Sequence, residues 1–261
     1  MIDDIVNHFE TGCTLRFRQN RFMNSPTTLR RVERVRHELK RRELTVKAVE
    51  SLTPHFRRIT FVDDSLSDFV SASFDDHIKV FIGDARRDYT PRRFDNAARE
   101  LVIEFALHGE GPAAEWAAQA KAGDTLAIGG PKGSMIVPLD YDWHLLAGDE
   151  TAFPAVARRL EELPAGARAI VILQAADAAD RRVFESAADL DLAWVTTDAE
   201  LLAAVRALAL PEGDGYAWCA GEAANMAALR RELVDVKGHP GESIRAAAYW
   251  KRGARGHHEN L

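Results

Sequence analysis

The sequence predicts an antiparallel β-barrel followed by a parallel α/β sheet. Between Leu44 and Pro138, short segments alternate apolar and polar residues and are parted by turn signals, the pattern of half-buried antiparallel strands. After Tyr141 the alternation stops, and apolar segments take turns with helical ones, the order of a parallel sheet with crossovers. A length of 261 residues suffices for two cores of ordinary size.

Residues 1–40 stand apart as a basic extension. From Thr14 to Arg42 there are ten Lys or Arg against two acids, Glu33 and Glu38; such a segment is either an arm that attracts anions or a solvated tail. Residues before about Leu29 are expected to make few contacts. The barrel is expected over residues 41–140. Its strands are read in "LTVKAVESL" (44–52), "FRRITFV" (56–62), "HIKVFIG" (77–83) and "ELVIEFALHG" (100–109), and as two strands around the Gly-Pro-Lys-Gly turn of "DTLAIGGPKGSMIVP" (124–138). Regular short strands of this kind suggest closure into a barrel. One helix interrupts them, "GPAAEWAAQAK" (111–121), which opens on Gly-Pro.

The α/β domain is expected over residues 141–261, with the boundary near Pro138–Asp142. "WHLLAGD" (143–149) is a short apolar strand ending in a glycine turn, and "TAFPAVARRLEEL" (151–163) is an amphipathic helix. "RAIVILQAAD" (168–177) does not alternate, so it is expected to be buried on both faces. "LAWVTTD" (192–198) and "YAWCAGE" (216–222) are further strands, and 199–210 and 223–236 are helices between or after them.

Composition narrows the function classes. A net charge of −6 gives no overall basic character for nucleic acid. No apolar run approaches the roughly 20 residues that span a bilayer. Cys13 and Cys219 are too far apart in sequence for a metal-ligand spacing, and two cysteines in a chain this long fit a reducing compartment. Asp3, Asp4 and His8 stand where a signal peptide would need apolar residues. The chain is expected to be a cytoplasmic monomer with no resident metal. Cys219 reads as a small buried residue, not a redox thiol.

The run Arg87-Asp88-Tyr89-Thr90-Pro91 carries the first chemical signal. On an extended chain Arg87 and Tyr89 share one face. A guanidinium suits a phosphate or pyrophosphate, an aromatic stacks on a flat ring, and the N–H or hydroxyl of Thr90 can meet a ring nitrogen. Together these match a flavin nucleotide. The plain alternative is an edge-strand arginine beside a core tyrosine. In "ALHGEGPAAEW" a strand end, a glycine turn and a helix start at Pro112 offer free N–H groups to a phosphate, with Gly111 allowing close approach. The same arrangement also serves as an ordinary connection.

"FDDHIKVF", "RDYTP", "FALHGEGPAAEWA", "GGPKGSMIVP", "AGDETAFPA", "CAGE" and "RAAAYWK" follow one another in the order found in siderophore-interacting proteins. Over about residues 30 to 252 the chain resembles the NADPH-dependent ferric-chelate reductase subgroup of that family, within the ferredoxin-reductase-like flavoproteins. The resemblance implies a six-stranded FAD-binding barrel and a nicotinamide-binding α/β domain. It puts Arg87, Tyr89 and Thr90 on FAD, with Thr90 near the reactive N5 edge. Ala106, His108, Gly111, Pro112 and Ala113 would hold the ribityl–pyrophosphate part. Trp116 would contact the flavin nucleotide or support the turn.

The second domain has no GxGxxG. Gly148, Asp149, Glu150 and Thr151 occupy its first strand–helix turn, where a following helix start can take the NADPH pyrophosphate. Sequence reasoning gives no account of two acids there. Gly221 and Glu222 end a later strand, where the resemblance implies the nicotinamide; Glu222 reads equally as a carboxylate complementing a helix dipole. Arg181 and Arg182 are candidates for a 2′-phosphate or an exposed helix face. Tyr249 and Trp250 either cover the flavin or adenine or make core contacts. Lys79 and Lys132 resemble two members of a basic triad that holds an anionic ferric siderophore or chelate, the third position falling at Ser73. The alternatives are solvated lysines and, for the whole chain, a flavoprotein with a protein or other small acceptor, or a non-catalytic FAD-containing siderophore binder.

Overall fold

The computed structural model describes residues 32–107, 111–254 and 259–260. The expectations for His108 and for the segment before Leu29 lie outside the described residues.

A short strand, β1 (Glu33–Arg36), precedes the barrel strands β2 (Arg41–Thr53), β3 (Phe56–Val62), β4 (Ile78–Ile82), β5 (Ala85–Tyr89), β6 (Pro91–Asp95), β7 (Glu100–Ala106) and β8 (Thr125–Gly129). β2 to β8 form one antiparallel sheet in the order β5-β4-β8-β2-β3-β7-β6. Its two outer strands are consecutive in sequence, with Thr90 between them. The ring is therefore joined by the chain itself: β5 pairs with β4 and β6 with β7. Counted as one run bent at Thr90, β5 and β6 give the six expected strands. The alternation holds: Leu44, Val46, Ile59, Phe61, Ile78 and Val80 turn inward and are almost wholly buried. α1 (Pro112–Gln119) lies between β7 and β8.

The glycine-rich turn after β8 is not a hairpin. β9 (Gly133–Ile136) pairs with β1 instead, Arg36 opposite Gly133 and Glu33 opposite Ile136. Residues 33–36, read from sequence as part of the extension, thus form a strand against the barrel's exit segment. A Cβ on Gly133 would lie 2.5 Å from the Val35 carbonyl oxygen, so this close pairing depends on glycine.

β10 (Trp143–Gly148), β11 (Arg168–Gln174), β12 (Asp189–Val195), β13 (Gly215–Glu222) and β14 (Ile244–Trp250) are parallel, in the order β12-β11-β10-β13-β14. A two-residue β15 (Glu259–Asn260) adds an antiparallel edge. β10 and β13 are buried along their whole length, and β11 over five central residues, as a strand covered on both faces requires. The helices are α2 (Phe153–Glu162), α3 (Asp198–Ala207) and α4 (Ala223–Arg231).

Strand–helix alternation fails once. Between β11 and β12 there is only a 3-10 turn, Ala178–Asp180. Barrel contacts hold this stretch at Asp180, which accepts from the Thr53 hydroxyl at 2.6 Å and from His55 Nδ1 at 2.8 Å, while Phe184 packs edge-on to Phe153 of α2.

Candidate active site

On the barrel side, β5 is an outer strand and presents its residues alternately. Arg87 pairs with Val80 and Tyr89 with Ile78, while Asp88 pairs with Lys79. Arg87 and Tyr89 thus share one face, and Asp88 the other. The Tyr89 ring rests on Phe105, centroids 4.5 Å apart, and burial pushes its phenol well above the ordinary range. Among the described residues the Arg87 guanidinium donates only to the Arg86 carbonyl, at 2.9 Å, leaving most of its fork uncommitted. Among the described residues the start of α1 is likewise without a side-chain cap. Its cap, Gly111, supplies no side-chain acceptor, and a Cβ there would meet nothing within 4 Å. An uncommitted guanidinium and an uncapped helix start are each a donor of the kind that fits a pyrophosphate. Trp116 stacks on Phe61, 6.2 Å between centroids and 13° between planes, and also meets Phe105; it is half-buried and packs against the barrel core.

On the α/β side, Gly148 and Gly221 close against each other. A Cβ on Gly148 would lie 2.2 Å from the Ala220 carbonyl oxygen, and one on Gly221 2.5 Å from Asp149 Oδ2. The Asp149 carboxylate explains the acids that the sequence left unaccounted for. It is 3 % exposed. Oδ1 accepts from the Thr151 N–H at 2.9 Å and the Thr151 hydroxyl at 2.5 Å. Oδ2 accepts from the Glu222 N–H at 2.9 Å and the Trp250 indole N–H at 2.8 Å. Burial pushes its pKa up, while the Thr151 and Trp250 donors pull the other way without overcoming it. Asp149 is therefore a brace joining three segments, and the Thr151 hydroxyl has its proton committed to it.

The two neighbouring glutamates are also engaged. Glu150 accepts from the Ala176 N–H at 2.6 Å. Glu222 caps α4, accepting from the Ala224 N–H at 2.7 Å and the Asn225 N–H at 3.2 Å, and it accepts from the Arg252 N–H at 3.2 Å. The helix-complementing alternative for Glu222 matches this geometry.

Residues beside both turns touch the barrel. Phe153, two positions beyond Thr151, stacks on Phe56 with centroids 5.6 Å apart. Trp218 meets Phe74 edge-on at 5.5 Å, and Tyr249 donates to Asp75 Oδ1 at 2.8 Å. Arg158 donates to the Ser71 hydroxyl and carbonyl and to the Pro91 carbonyl. Arg182 lies 4.2 Å over the Phe56 ring and pairs with Glu104 of β7 at 2.5 Å. This corrects one reading of Arg182: it sits on no helix, and its charge is paired with Glu104. Arg181 remains exposed.

Lys79 is half-exposed, with its ammonium 2.6 Å from Asp88. Lys132 is exposed in the turn after β8, whose last residue, Gly129, pairs with Lys79. Ser73 is buried and donates to the Met135 carbonyl at 2.7 Å, so it presents nothing to a chelate. Cys219 is fully buried, its thiol pushed up to about 12 by desolvation, the state of an inert core thiol. Sequence reasoning missed Asp75, Glu104 and Asp180. The only signal for them was acidic residues in otherwise apolar barrel segments or beside a turn.

The end of β14 in the parallel sheet thus meets the barrel part of the chain, Tyr249 bonding Asp75. The chain matches the profile of the siderophore-interacting FAD-binding domain over residues 45–86 and 84–135, and that of the siderophore-interacting protein over 141–253. It is 35% identical over 250 residues to the NADPH-dependent ferric-chelate reductase of Escherichia coli, covering 85% of this chain and 98% of that one. It is 31% identical over 227 residues to the ferric vibriobactin reductase ViuB of Vibrio cholerae, covering 75% and 84%. A siderophore utilization protein from T. fusca superposes with a TM-score of 0.79 at 34% identity, over 88% of this chain and 98% of that one. The chain belongs to the siderophore-interacting protein family.

Proposed function

We propose that the chain is an FAD-dependent reductase that passes electrons from NADPH to ferric iron held in a siderophore or other chelate, in the cytoplasm. The observation that carries this is the 35% identity spanning almost the whole of a ferric-chelate reductase. The balance is simple: one NADPH and two Fe(III) give NADP⁺, one proton and two Fe(II). FAD held there would supply the link between a two-electron donor and a one-electron acceptor. Fe(II) is held less tightly by hard oxygen chelators, so reduction frees it.

The chain's own part is to bind and orient. Arg87 offers its uncommitted fork to the FAD pyrophosphate, with the helix start supplying the N–H groups of Gly111 and Ala113 while Pro112, which has none, fixes the first turn. Tyr89 and Thr90 position the ring, and Ala106 and His108 border the nucleotide. Trp116 holds the turn. Gly148 to Thr151 and Gly221–Glu222 frame the nicotinamide side, braced through Asp149. The direct experiment is spectral: the purified holoprotein mixed with NADPH without oxygen should lose its flavin absorbance near 450 nm, and regain it when ferric chelate is added. A flavin that stays coloured would sink the enzyme reading.

Arg87→Ala is expected to weaken FAD retention roughly tenfold to a hundredfold, since a charge-assisted contact contributes about 1.5–3 kcal/mol. Flavin occupancy after dialysis measures it, and full occupancy would remove Arg87 from the site.

Lys79 and Lys132 supply positive charge for an anionic chelate. The Lys79–Asp88 pair is half-exposed and so weakly held, which lets a chelate carboxylate or phenolate compete for the ammonium. Replacing both lysines with alanine should raise KM for an anionic ferric chelate and flatten its salt dependence. Flavin reduction by NADPH should stay as in the parent. Unchanged KM at low salt would show that the lysines are ordinary solvated side chains.

A further inference from the structure

Thr90 lies between β5 and β6, at the bend where the two outer strands join, and is 6 % exposed. The chain just after it is poorly held by the barrel's own ladder. Pro91 has no N–H to donate. It stands opposite Ile103, but the register slips before Arg93 meets Val102, which leaves Arg92 as a bulge. A bulge disrupts the ladder locally and re-aims the side chains beside it.

Helix α2 supplies what the ladder lacks. Arg158 Nη1 donates to the Pro91 carbonyl at 3.0 Å, and the same guanidinium donates to the Ser71 hydroxyl and carbonyl, both at 2.8 Å. Arg158 is buried, and Glu162, one turn on, lies 3.4 Å from its Nε. Glu161 receives a two-pronged bond from Arg92, the bulge residue, with Nη1 donating to Oε2 at 2.9 Å and Nη2 to Oε1. The two residues that follow Thr90 are thus each gripped by a side chain of α2. That helix begins at Phe153, two positions after Thr151. One rod of ten residues therefore continues directly from the Gly148–Thr151 turn and holds the Thr90 bend with its second half.

We propose that Arg158 and Glu161 are positioning residues that set the Thr90 bend against the turn opening α2, and so fix a ring held at that bend relative to the nicotinamide side. The inference rests on the proposed placement of Thr90 beside the flavin. Neither side chain has to meet a cofactor for this, since each acts through the backbone that carries Thr90. Transfer between two bound rings is steep in distance and angle, and a misplacement of about 1 Å caused by a remote substitution can cost on the order of a hundredfold. Tying both sides to one helix keeps that separation constant when barrel and sheet move against each other.

The test reads the ring's surroundings before any turnover. FAD-loaded protein without nicotinamide is measured by visible circular dichroism, whose flavin bands report how the protein surrounds the ring. Arg158→Met, which keeps an apolar stem and loses every donor, and Glu161→Ala should both change these bands. Ser71→Ala removes one anchor of Arg158 away from the bend and should leave them as in the parent. In a single anaerobic turnover at saturating NADPH, Arg158→Met should bleach the flavin about tenfold to a hundredfold more slowly, with the NADPH concentration for half the maximal rate close to the parent's. A merely structural role would lower thermal stability in all three variants and leave the bands and rate of the folded protein alone. Should Arg158→Met fail to retain flavin, Glu161→Ala decides, its side chain being 40% exposed. A change in Ser71→Ala as large as in Arg158→Met would trace the effect to a loosened interface and overturn the inference. If Thr90→Val changes the bands and the two α2 variants do not, the inference falls while the placement of Thr90 stands. If Thr90→Val and the α2 variants all keep the parent's bands, Thr90 is not beside the ring and the inference falls with that placement.

Discussion

Glu104→Ala is expected to lower the stability of the chain by about 3–5 kcal/mol, the cost of removing one partner from a buried ion pair. Glu104 on β7 has no exposed side-chain surface, and Arg58 and Arg182 lie 2.8 Å and 2.5 Å from its carboxylate, with Arg92 at 3.6 Å. Without it three guanidiniums face one another across the domain interface with nothing between them. Burial alone would raise the Glu104 pKa, but Arg182 and Arg58 outweigh it and hold the carboxyl below the ordinary range. A lowered folded-state pKa contributes stability that is present above the unfolded value, about 4.3, and is lost as pH falls through the folded one. The difference between parent and variant in urea midpoint should therefore be large near neutrality and shrink in acid. A variant within about 1 kcal/mol of the parent at pH 7 would mean that the arginines find other partners and that the cluster is weakly coupled.

Asp149→Ala should have the second largest effect, and should divide the two cofactors. The substitution leaves two backbone N–H groups, a hydroxyl and an indole N–H without their acceptor, and each buried orphan costs about 1–3 kcal/mol. Asparagine does not repair this. Its amide offers one acceptor oxygen, and its NH₂ must then face the Glu222 N–H and the Trp250 indole N–H, or the Thr151 donors. Both variants should bind NADPH at least about tenfold more weakly, the effect of roughly 1.4 kcal/mol lost in holding the turns together. Arg87 and the α1 start are on the other domain, so FAD retention should stay close to that of the parent. Titration of the flavin-loaded protein with NADP⁺, followed by difference absorbance, measures the first, and flavin content the second. Equal loss of both cofactors would point to general unfolding and against a local brace.

Much of the fold was legible because faces are written in local periodicity. The alternation of β3, the two-sided burial of β11 and the shared face of Arg87 and Tyr89 all follow from positions within a few residues of one another. Partnerships are not written that way. Asp149 reaches Glu222 and Trp250 from 73 and 101 positions away, and Asp75 reaches Tyr249 from 174. Alternation says that such a residue points inward and leaves open what waits there. The carboxylates at the turn after β10 looked misplaced for this reason: their repulsion toward a phosphate was legible, and their donors were not. Arg182 shows the opposite error. Its spacing after β11 suited a phosphate, but the missing crossover helix carries it to Glu104.

The helix-free stretch between β11 and β12 bears on how this protein can be taken apart. Through Asp180 and Arg182 it is tied to the barrel, although it lies in the second half of the sequence and Phe184 packs on α2. A cut at the chain's apparent seam, near residue 140, would leave Phe56, Phe74, Phe153 and Trp218 facing water on two sticky fragments. Chimeras between relatives should therefore exchange this stretch together with the barrel strands it grips. The transferable module is defined by its contacts, and its boundaries in sequence are discontinuous.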